Sequence, residues 1–179
     1  KSPLSYPTML VIPLARLERE GVLEIQAELP LDHPGWRGTD LRFSTPLSVA
    51  GQARWTSSGE VVVRLRLTAS MDQECRRCLA PVQGRLEMEV SLLFLPEGEI
   101  KEGDDEVWPL SETATELDLT DAVREEVILS HSPLALCSPD CPGFCPRCGA
   151  NLKEEPCRCS HEERDPRWDA LRALKQERE

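Results

Sequence analysis

Residues that alternate between apolar and polar side chains fill much of the first half of the chain and predict β-strands. Strand-like patterns cover four stretches, at residues 22–29, 41–55, 60–69 and 82–95. In the last stretch, Leu86, Met88 and Val90 share one face, while charged residues take the other. A period of two with one apolar face is typical of antiparallel strands buried on one side. The pattern therefore predicts an antiparallel β-sandwich or open barrel over residues 1–96.

Helical spacing of apolar residues appears at three places, at residues 10–20, 119–129 and 165–174. The first helix is short because Pro13 restricts where it begins. The second follows a capping residue, Asp118, and carries an apolar stripe that we expect to pack on the sheet. The third begins at Asp165-Pro166, an N-terminal signal, and carries Trp168. We therefore predict an α+β fold with one packed helix and a short helix at the C-terminus.

Acidic residues are concentrated in one stretch of a chain whose net charge is −11. Residues 97–126 contain twelve acidic and two basic side chains, so the rest of the chain is nearly neutral. The stretch is interpreted either as a solvated linker or as a docking surface for a basic partner. We expect a β-rich domain at 1–96, an acidic linker at 97–117, and a region at 118–179 that packs on the β-rich domain through a shared metal site.

Length and composition indicate a protein with its own apolar core. With 179 residues and 40% hydrophobic content, the chain can bury a core of its own. Bound metal would therefore only reinforce the fold locally. No apolar run approaches the length that crosses a membrane, and the first ten residues show no secretory cleavage pattern. We therefore expect a cytoplasmic protein without a membrane partner, whose reduced thiols bind metal in preference to forming disulfides.

Eight cysteines occur as four closely spaced pairs, and this spacing is typical of zinc ligands. The pairs are Cys75/Cys78, Cys137/Cys141, Cys145/Cys148 and Cys157/Cys159. A structural zinc ion takes four thiolates in a tetrahedron, so the eight predict two structural zinc ions. The first pair lies between two predicted strands, and the other three follow the helix at 119–129. Residues 137–159 are therefore predicted to form a cysteine-rich zinc-knuckle region.

Chain reach leaves two ways of dividing the cysteines between two sites. We favour site one from Cys75, Cys78, Cys137 and Cys141, and site two from Cys145, Cys148, Cys157 and Cys159. The second set spans a short stretch and can close locally as a compact ribbon-like unit. The alternative division joins the two middle pairs in one site and brings the first and last pairs together in the other.

Two other uses of the thiols stay open at this point. An iron–sulfur cluster also accepts four thiolates. A thiol-based redox enzyme or sensor would use an exposed Cys-x-x-Cys pair such as Cys75 and Cys78, although the βαβ context of such enzymes is missing. The chain shows no phosphate-binding glycine loop and no nucleophile with a paired base. We therefore expect neither enzymatic activity nor a small-molecule substrate.

Arginines inside the cysteine pairs are candidate contacts to nucleic acid. They are Arg76, Arg77, Arg147 and Arg158. Rigid loops would present their guanidinium groups to RNA phosphates, although solvent-facing loop charges explain them equally well. By contrast, Arg64, Arg66 and Arg85 fall on the predicted strands, where the polar side of a half-buried sheet is the better interpretation.

Four motifs together carry a family resemblance. They are Cys75-Arg-Arg-Cys-Leu79, Val127-Ile-Leu-Ser-His-Ser-Pro-Leu134, Gly143-Phe-Cys-Pro-Arg-Cys-Gly-Ala-Asn-Leu152 and Asp165-Pro-Arg-Trp168. In these motifs the chain resembles the YceD family, the large ribosomal RNA subunit accumulation proteins, closely over 75–168 and loosely before. The resemblance implies a non-enzymatic role in assembling the large ribosomal subunit and in the accumulation of its RNA. The implied partner is ribosomal RNA or a large-subunit ribosomal protein.

Overall fold

The chain forms seven β-strands and two α-helices in the part of it that the structure describes. The computed structural model describes residues 10–103, 106–131 and 134–159, so the helix predicted from Asp165 lies outside the described residues. The elements are β1 (Val11–Pro13), α1 (Leu14–Glu20), β2 (Val22–Leu29), β3 (Leu47–Trp55), β4 (Val61–Glu74), β5 (Pro81–Pro96), β6 (Val107–Leu110), β7 (Glu116–Asp118) and α2 (Thr120–Ser130). The predicted α+β class is confirmed.

Strands β2 to β6 form one five-stranded sheet in chain order. The pairs from β2 to β5 are antiparallel, whereas β6 runs parallel to β5, so the sheet is mixed. It does not close into a barrel, and β1 and β7 form a separate antiparallel pair. The predicted strand at 22–29 is confirmed to the residue, while residues 41–46 contribute only an isolated bridge from Phe43 to Met71.

The acidic segment 97–117, predicted as a linker, contributes two strands to the fold. β6 adds an edge to the main sheet, and β7 pairs with β1 near the N-terminus. At four and three residues, these strands are too short to show alternation in sequence. Pro109 within β6 also argues against a strand, except at an edge, which is where β6 lies.

One face of the main sheet and both helices enclose a continuous apolar core. From α1 the core takes Leu14 and Leu17, and from α2 it takes Ala122, Val123 and Val127. Burying one such valine or leucine stabilises the fold by about 1.5–3 kcal/mol. The sequence predicted one packed helix, and the structure packs two. The backbone N–H of Thr120 donates to Asp118 Oδ1 at 2.8 Å, so Asp118 satisfies a donor at the start of α2, although Leu119 holds the N-cap position predicted for Asp118.

The opposite face of the sheet is polar and exposed. Arg66 pairs with Glu89 at 2.6 Å across β4 and β5, and Arg85 pairs with Glu87 at 3.1 Å. These contacts agree with the interpretation of the strand arginines as the polar side of a half-buried sheet. Among residues 10–103, 106–131 and 134–159, no helix combines the length and apolar character that crossing a bilayer requires.

Candidate metal centres

The turn between β4 and β5 places two cysteines at the tip of a long hairpin. Cys75 follows the last residue of β4, and Cys78 stands three positions before the first residue of β5. Two backbone hydrogen bonds hold the turn, from the Cys75 N–H to the Ala80 carbonyl and from the Leu79 N–H to the Cys75 carbonyl, each at 2.8 Å. The turn therefore fixes the backbone that carries both thiols.

A second turn, at residues 145–150, repeats this hydrogen-bond pattern. The Cys145 N–H donates to the Ala150 carbonyl at 2.8 Å, and the Gly149 N–H donates to the Cys145 carbonyl at 2.9 Å. Gly149 has φ +73°, in the left-handed region that favours glycine. Its counterpart in the first turn is Leu79, which holds φ +58° with a side chain that is 61% exposed. The two turns are thus equivalent, and only the first carries a side chain at the strained position.

The structure brings the sulfurs of Cys75, Cys78, Cys137 and Cys141 within 4.8 Å of one another. The Sγ atoms of Cys75 and Cys141 lie 3.8 Å apart, and those of Cys78 and Cys137 lie 3.6 Å apart. Cys75 and Cys141 are 0% and 1% exposed. This set, which we call the first cluster, joins the hairpin tip to the segment after α2 and can hold one metal ion.

The sulfurs of Cys145, Cys148, Cys157 and Cys159 form an equally compact second cluster. Cys157 Sγ lies 3.2 Å from Cys145 Sγ and 3.5 Å from Cys148 Sγ. Cys145 is buried, whereas Cys148 is exposed and the other two are half-buried. The two clusters have the composition that chain reach favours, and each can hold a metal ion. Their role as ligands stays a prediction.

The spacing of the sulfurs fits a single tetrahedral ion in each cluster. Four thiolates at about 2.3 Å from a zinc ion lie about 3.8 Å from each other. Four of the sulfur pairs are 3.2–3.8 Å apart, close to this value, and every pair within a cluster lies within 4.8 Å. Backbone amides support the sulfurs: Arg147 N–H donates to Cys145 Sγ and Cys159 N–H donates to Cys157 Sγ. Such donors are typical of the surroundings of metal-bound thiolates.

The pKa values of the crowded thiols differ, so some ionise easily and others poorly. Backbone N–H donors, first that of Cys137, lower the pKa of Cys75 to about 6. The amides of Cys148 and Arg147 likewise lower the pKa of Cys145 to about 6. Burial, together with neighbouring thiols, raises the pKa of Cys141 to about 12. A metal dication would lower the pKa of the poorly ionised thiols as well, because its charge allows all four sulfurs to ionise together.

The two clusters are fastened to each other at the hairpin tip. The Arg77 carbonyl accepts a hydrogen bond from Phe144 N–H at 3.2 Å, and the Arg77 Nη1 atom donates to the Cys141 carbonyl at 2.8 Å. Gly143, with φ +71°, packs so closely that a Cβ there would lie 2.8 Å from the Arg77 oxygen. Lys153, three residues after the second turn, places Nζ 3.7 Å from Cys137 Sγ.

These contacts give the predicted arginines different surroundings. All four arginines are exposed, but Arg77 also donates a hydrogen bond to the Cys141 carbonyl at the joint between the two clusters. Sequence reasoning missed Lys153 and the structural contacts of Arg77, since both depend on segments far apart in the chain. His131, which follows α2, lies beside Gln73, with its Nδ1 at 3.3 Å from the amide nitrogen.

Comparison with known proteins gives several related chains. An uncharacterized protein of Mycobacterium tuberculosis and one of Mycobacterium bovis are each 40% identical over 116 residues, which cover 62% of this chain and 54% of theirs. The chain thus spans about half the length of these relatives. The Arabidopsis thaliana protein named "Large ribosomal RNA subunit accumulation protein YCED homolog 1, chloroplastic" is 36% identical over 62 residues, 35% of this chain and 19% of that protein.

No solved structure was found to match the chain. The family model described as "Large ribosomal RNA subunit accumulation protein YceD" matches residues 63–175. The matched range starts within β4 and contains the hairpin tip, α2 and all eight cysteines. As this range is more than half of the sequence, the chain belongs to the YceD family.

Proposed function

We propose that this protein is a zinc-binding factor that supports assembly of the large ribosomal subunit and the accumulation of its RNA. The observation that carries the proposal is the family match over 63–175, the same range that forms the two clusters. The factor acts in the cytoplasm by binding ribosomal RNA or a large-subunit ribosomal protein. It holds two zinc ions as structural elements and catalyses no reaction.

Zinc is favoured by the donor set and its compactness. Four thiolates without histidine or carboxylate suit zinc or iron among common metals. In an iron–sulfur cluster the four cysteines are shared among two or more irons, so sulfurs on different irons lie farther apart than around one ion. All four sulfurs of each cluster lie within 4.8 Å of one another, which favours a single ion in each.

Metal analysis of the purified protein tests this part of the proposal. We expect two zinc ions per chain by mass spectrometry, and one in each of the variants Cys78→Ser and Cys148→Ser. Iron at either cluster, or zinc content that does not fall in the variants, would contradict the assignment. Growth in medium supplemented equally with zinc and iron is the appropriate control.

The assembly role is tested in cells that lack the protein. We expect the ratio of large-subunit to small-subunit RNA to fall on depletion and to recover with the wild-type chain. The triple variant Arg76→Ala, Arg147→Ala and Arg158→Ala tests whether the exposed knuckle arginines contact RNA, with Arg37→Ala and Arg54→Ala as a distant control. An unchanged RNA ratio on depletion would exclude the proposed function.

Burial argues against a thiol-based enzyme at the hairpin tip. Although the pKa of Cys75 is lowered, its side chain and that of Cys78 are buried, so a substrate disulfide has no access to them. We expect both thiols to resist alkylation until the metal is removed with a chelator. Fast alkylation of Cys75 in untreated protein would instead favour redox chemistry.

A further inference from the structure

The outward side of α2 carries two acidic and two large apolar residues in one stripe. Asp121, Glu125, Ile128 and Leu129 lie at helical spacing on the side opposite Val123 and Val127, which are buried. Ile128 is 37% and Leu129 74% exposed. We call these four residues the α2 outer face. It presents apolar contact area next to negative charge.

The carboxylates of this face are not neutralised within the part of the chain that the structure describes. Asp121 and Glu125 stand four positions apart on one helix face, a spacing at which like charges repel. The basic residue of α2, Arg124, donates from Nε to the Gly35 carbonyl at 2.6 Å instead of pairing with either acid. The last turn of α2 adds no basic residue, so the negative end of the helix dipole reinforces the field there.

We propose that the α2 outer face binds a basic segment of a large-subunit ribosomal protein, one with lysine or arginine beside an apolar side chain. The inference rests on the proposed function, because that function supplies the ribosomal source. Charge complementarity identifies the chemistry: cations of the partner lie on Asp121 and Glu125, and its apolar side chain contacts Ile128 and Leu129.

Other occupants match this face less well. RNA phosphates would be repelled by the carboxylates, and a second copy of a chain of net charge −11 would repel this one. Residues 160–179 contain five basic and six acidic side chains, so they bring no excess of positive charge. A basic protein segment is the class that gains from both the acidic and the apolar residues.

Site-specific crosslinking in cells tests the inference with the full chain. A photoreactive benzoylphenylalanine is placed at Leu129, and the matched control carries it at Leu31, another exposed leucine at 49%. We expect an adduct with a lysine- and arginine-rich large-subunit protein from position 129 and not from position 31. Replacing Asp121→Asn and Glu125→Gln together should lower its yield about fivefold, whereas Glu24→Gln and Glu28→Gln should not.

The remaining outcomes overturn the inference. They are an adduct with RNA, with residues 160–179 or with a second copy, a yield at position 129 no higher than at position 31, and a yield insensitive to the acidic pair. Zinc content and melting temperature of each variant establish that the fold is intact. If depletion lowers large-subunit RNA while the expected adduct is absent, this inference alone fails, whereas unchanged RNA contradicts the proposed function itself.

Discussion

The carbonyl oxygen of Arg77 accepts a hydrogen bond from the backbone N–H of Phe144 at 3.2 Å. Arg77 stands between two cysteines of the first cluster, and Phe144 immediately precedes Cys145 of the second. This contact joins two turns that are otherwise distant in sequence. The orientation of one cluster relative to the other is therefore set by direct backbone pairing, in addition to the short connection between Cys141 and Cys145.

Replacing Gly143 by alanine should weaken the contact between the two turns. The new Cβ would lie 2.8 Å from the Arg77 oxygen, and φ +71° adds backbone strain. We expect the free energy of unfolding to fall by about 2–3 kcal/mol. Gly38→Ala is the matched control, since Gly38 has φ +76° with nothing near its Cβ position, and it should cost only about 1 kcal/mol. Equal losses in chemical denaturation would contradict a steric role for the joint.

The equivalent positions Leu79 and Gly149 should respond in opposite directions to exchange. Leu79→Gly relieves a left-handed leucine whose side chain packs little, so we expect a stabilisation of about 0.5–1 kcal/mol. Gly149→Leu imposes the same strain on the second turn and should cost about 1–2 kcal/mol. Melting curves of the zinc-loaded protein measure both, and destabilisation by Leu79→Gly would show that the leucine has a packing role.

Comparing alanine variants of Arg77 and Arg76 distinguishes an arginine with a structural role from one that is available for RNA contact. Arg77→Ala removes the charge-assisted hydrogen bond to the Cys141 carbonyl and should cost about 1–2 kcal/mol of stability. Arg76→Ala, at an exposed side chain, should stay within about 0.5 kcal/mol. We expect urea denaturation to show this difference in the free energy of unfolding. Similar stabilities for the two variants would mean that the Arg77 guanidinium contributes nothing to the joint.

Metal affinity of the first cluster should rise with pH. Zinc binds thiolates, so each thiol that is still protonated releases a proton on binding. With the pKa of Cys141 raised to about 12 and that of Cys78 also raised, at least two protons leave near neutral pH. Affinity should therefore increase by at least about a hundredfold per pH unit between pH 6.5 and 7.5. Competition with a zinc-binding dye measures the slope, and a pH-independent affinity would contradict the shifted values.

The second cluster should lose its metal before the first. Its Cys148 is exposed, whereas Cys75 and Cys141 of the first cluster are fully buried. A chelator would therefore reach an ion in the second cluster directly but would need local opening to reach one in the first. We expect two kinetic phases of zinc release, with the fast phase absent in Cys148→Ser. A single phase for the wild type would mean that the two sites open together.

Sequence reasoning found the elements that are long enough to show a period. Strands β2, β4 and β5 and helix α2 all have eight or more residues, and their apolar faces are legible. Strands β6 and β7 are too short, and nothing local reveals that β6 runs parallel to β5. At the site, spacing identified the eight thiols, but the contact of Arg77 with Cys141 crosses 64 positions and depends on the complete fold.

The separation of the cysteines along the chain has a consequence for synthesis. Cys75 and Cys141 are 66 positions apart, while Cys148 and Cys157 are nine apart, so closing the first cluster costs roughly 2 kcal/mol more in chain entropy. During synthesis the β4–β5 hairpin can form early. The first cluster can close at the hairpin tip only after α2 and the residues through Cys141 have been made. An ion bound in the first cluster thus marks a chain translated at least through Cys141.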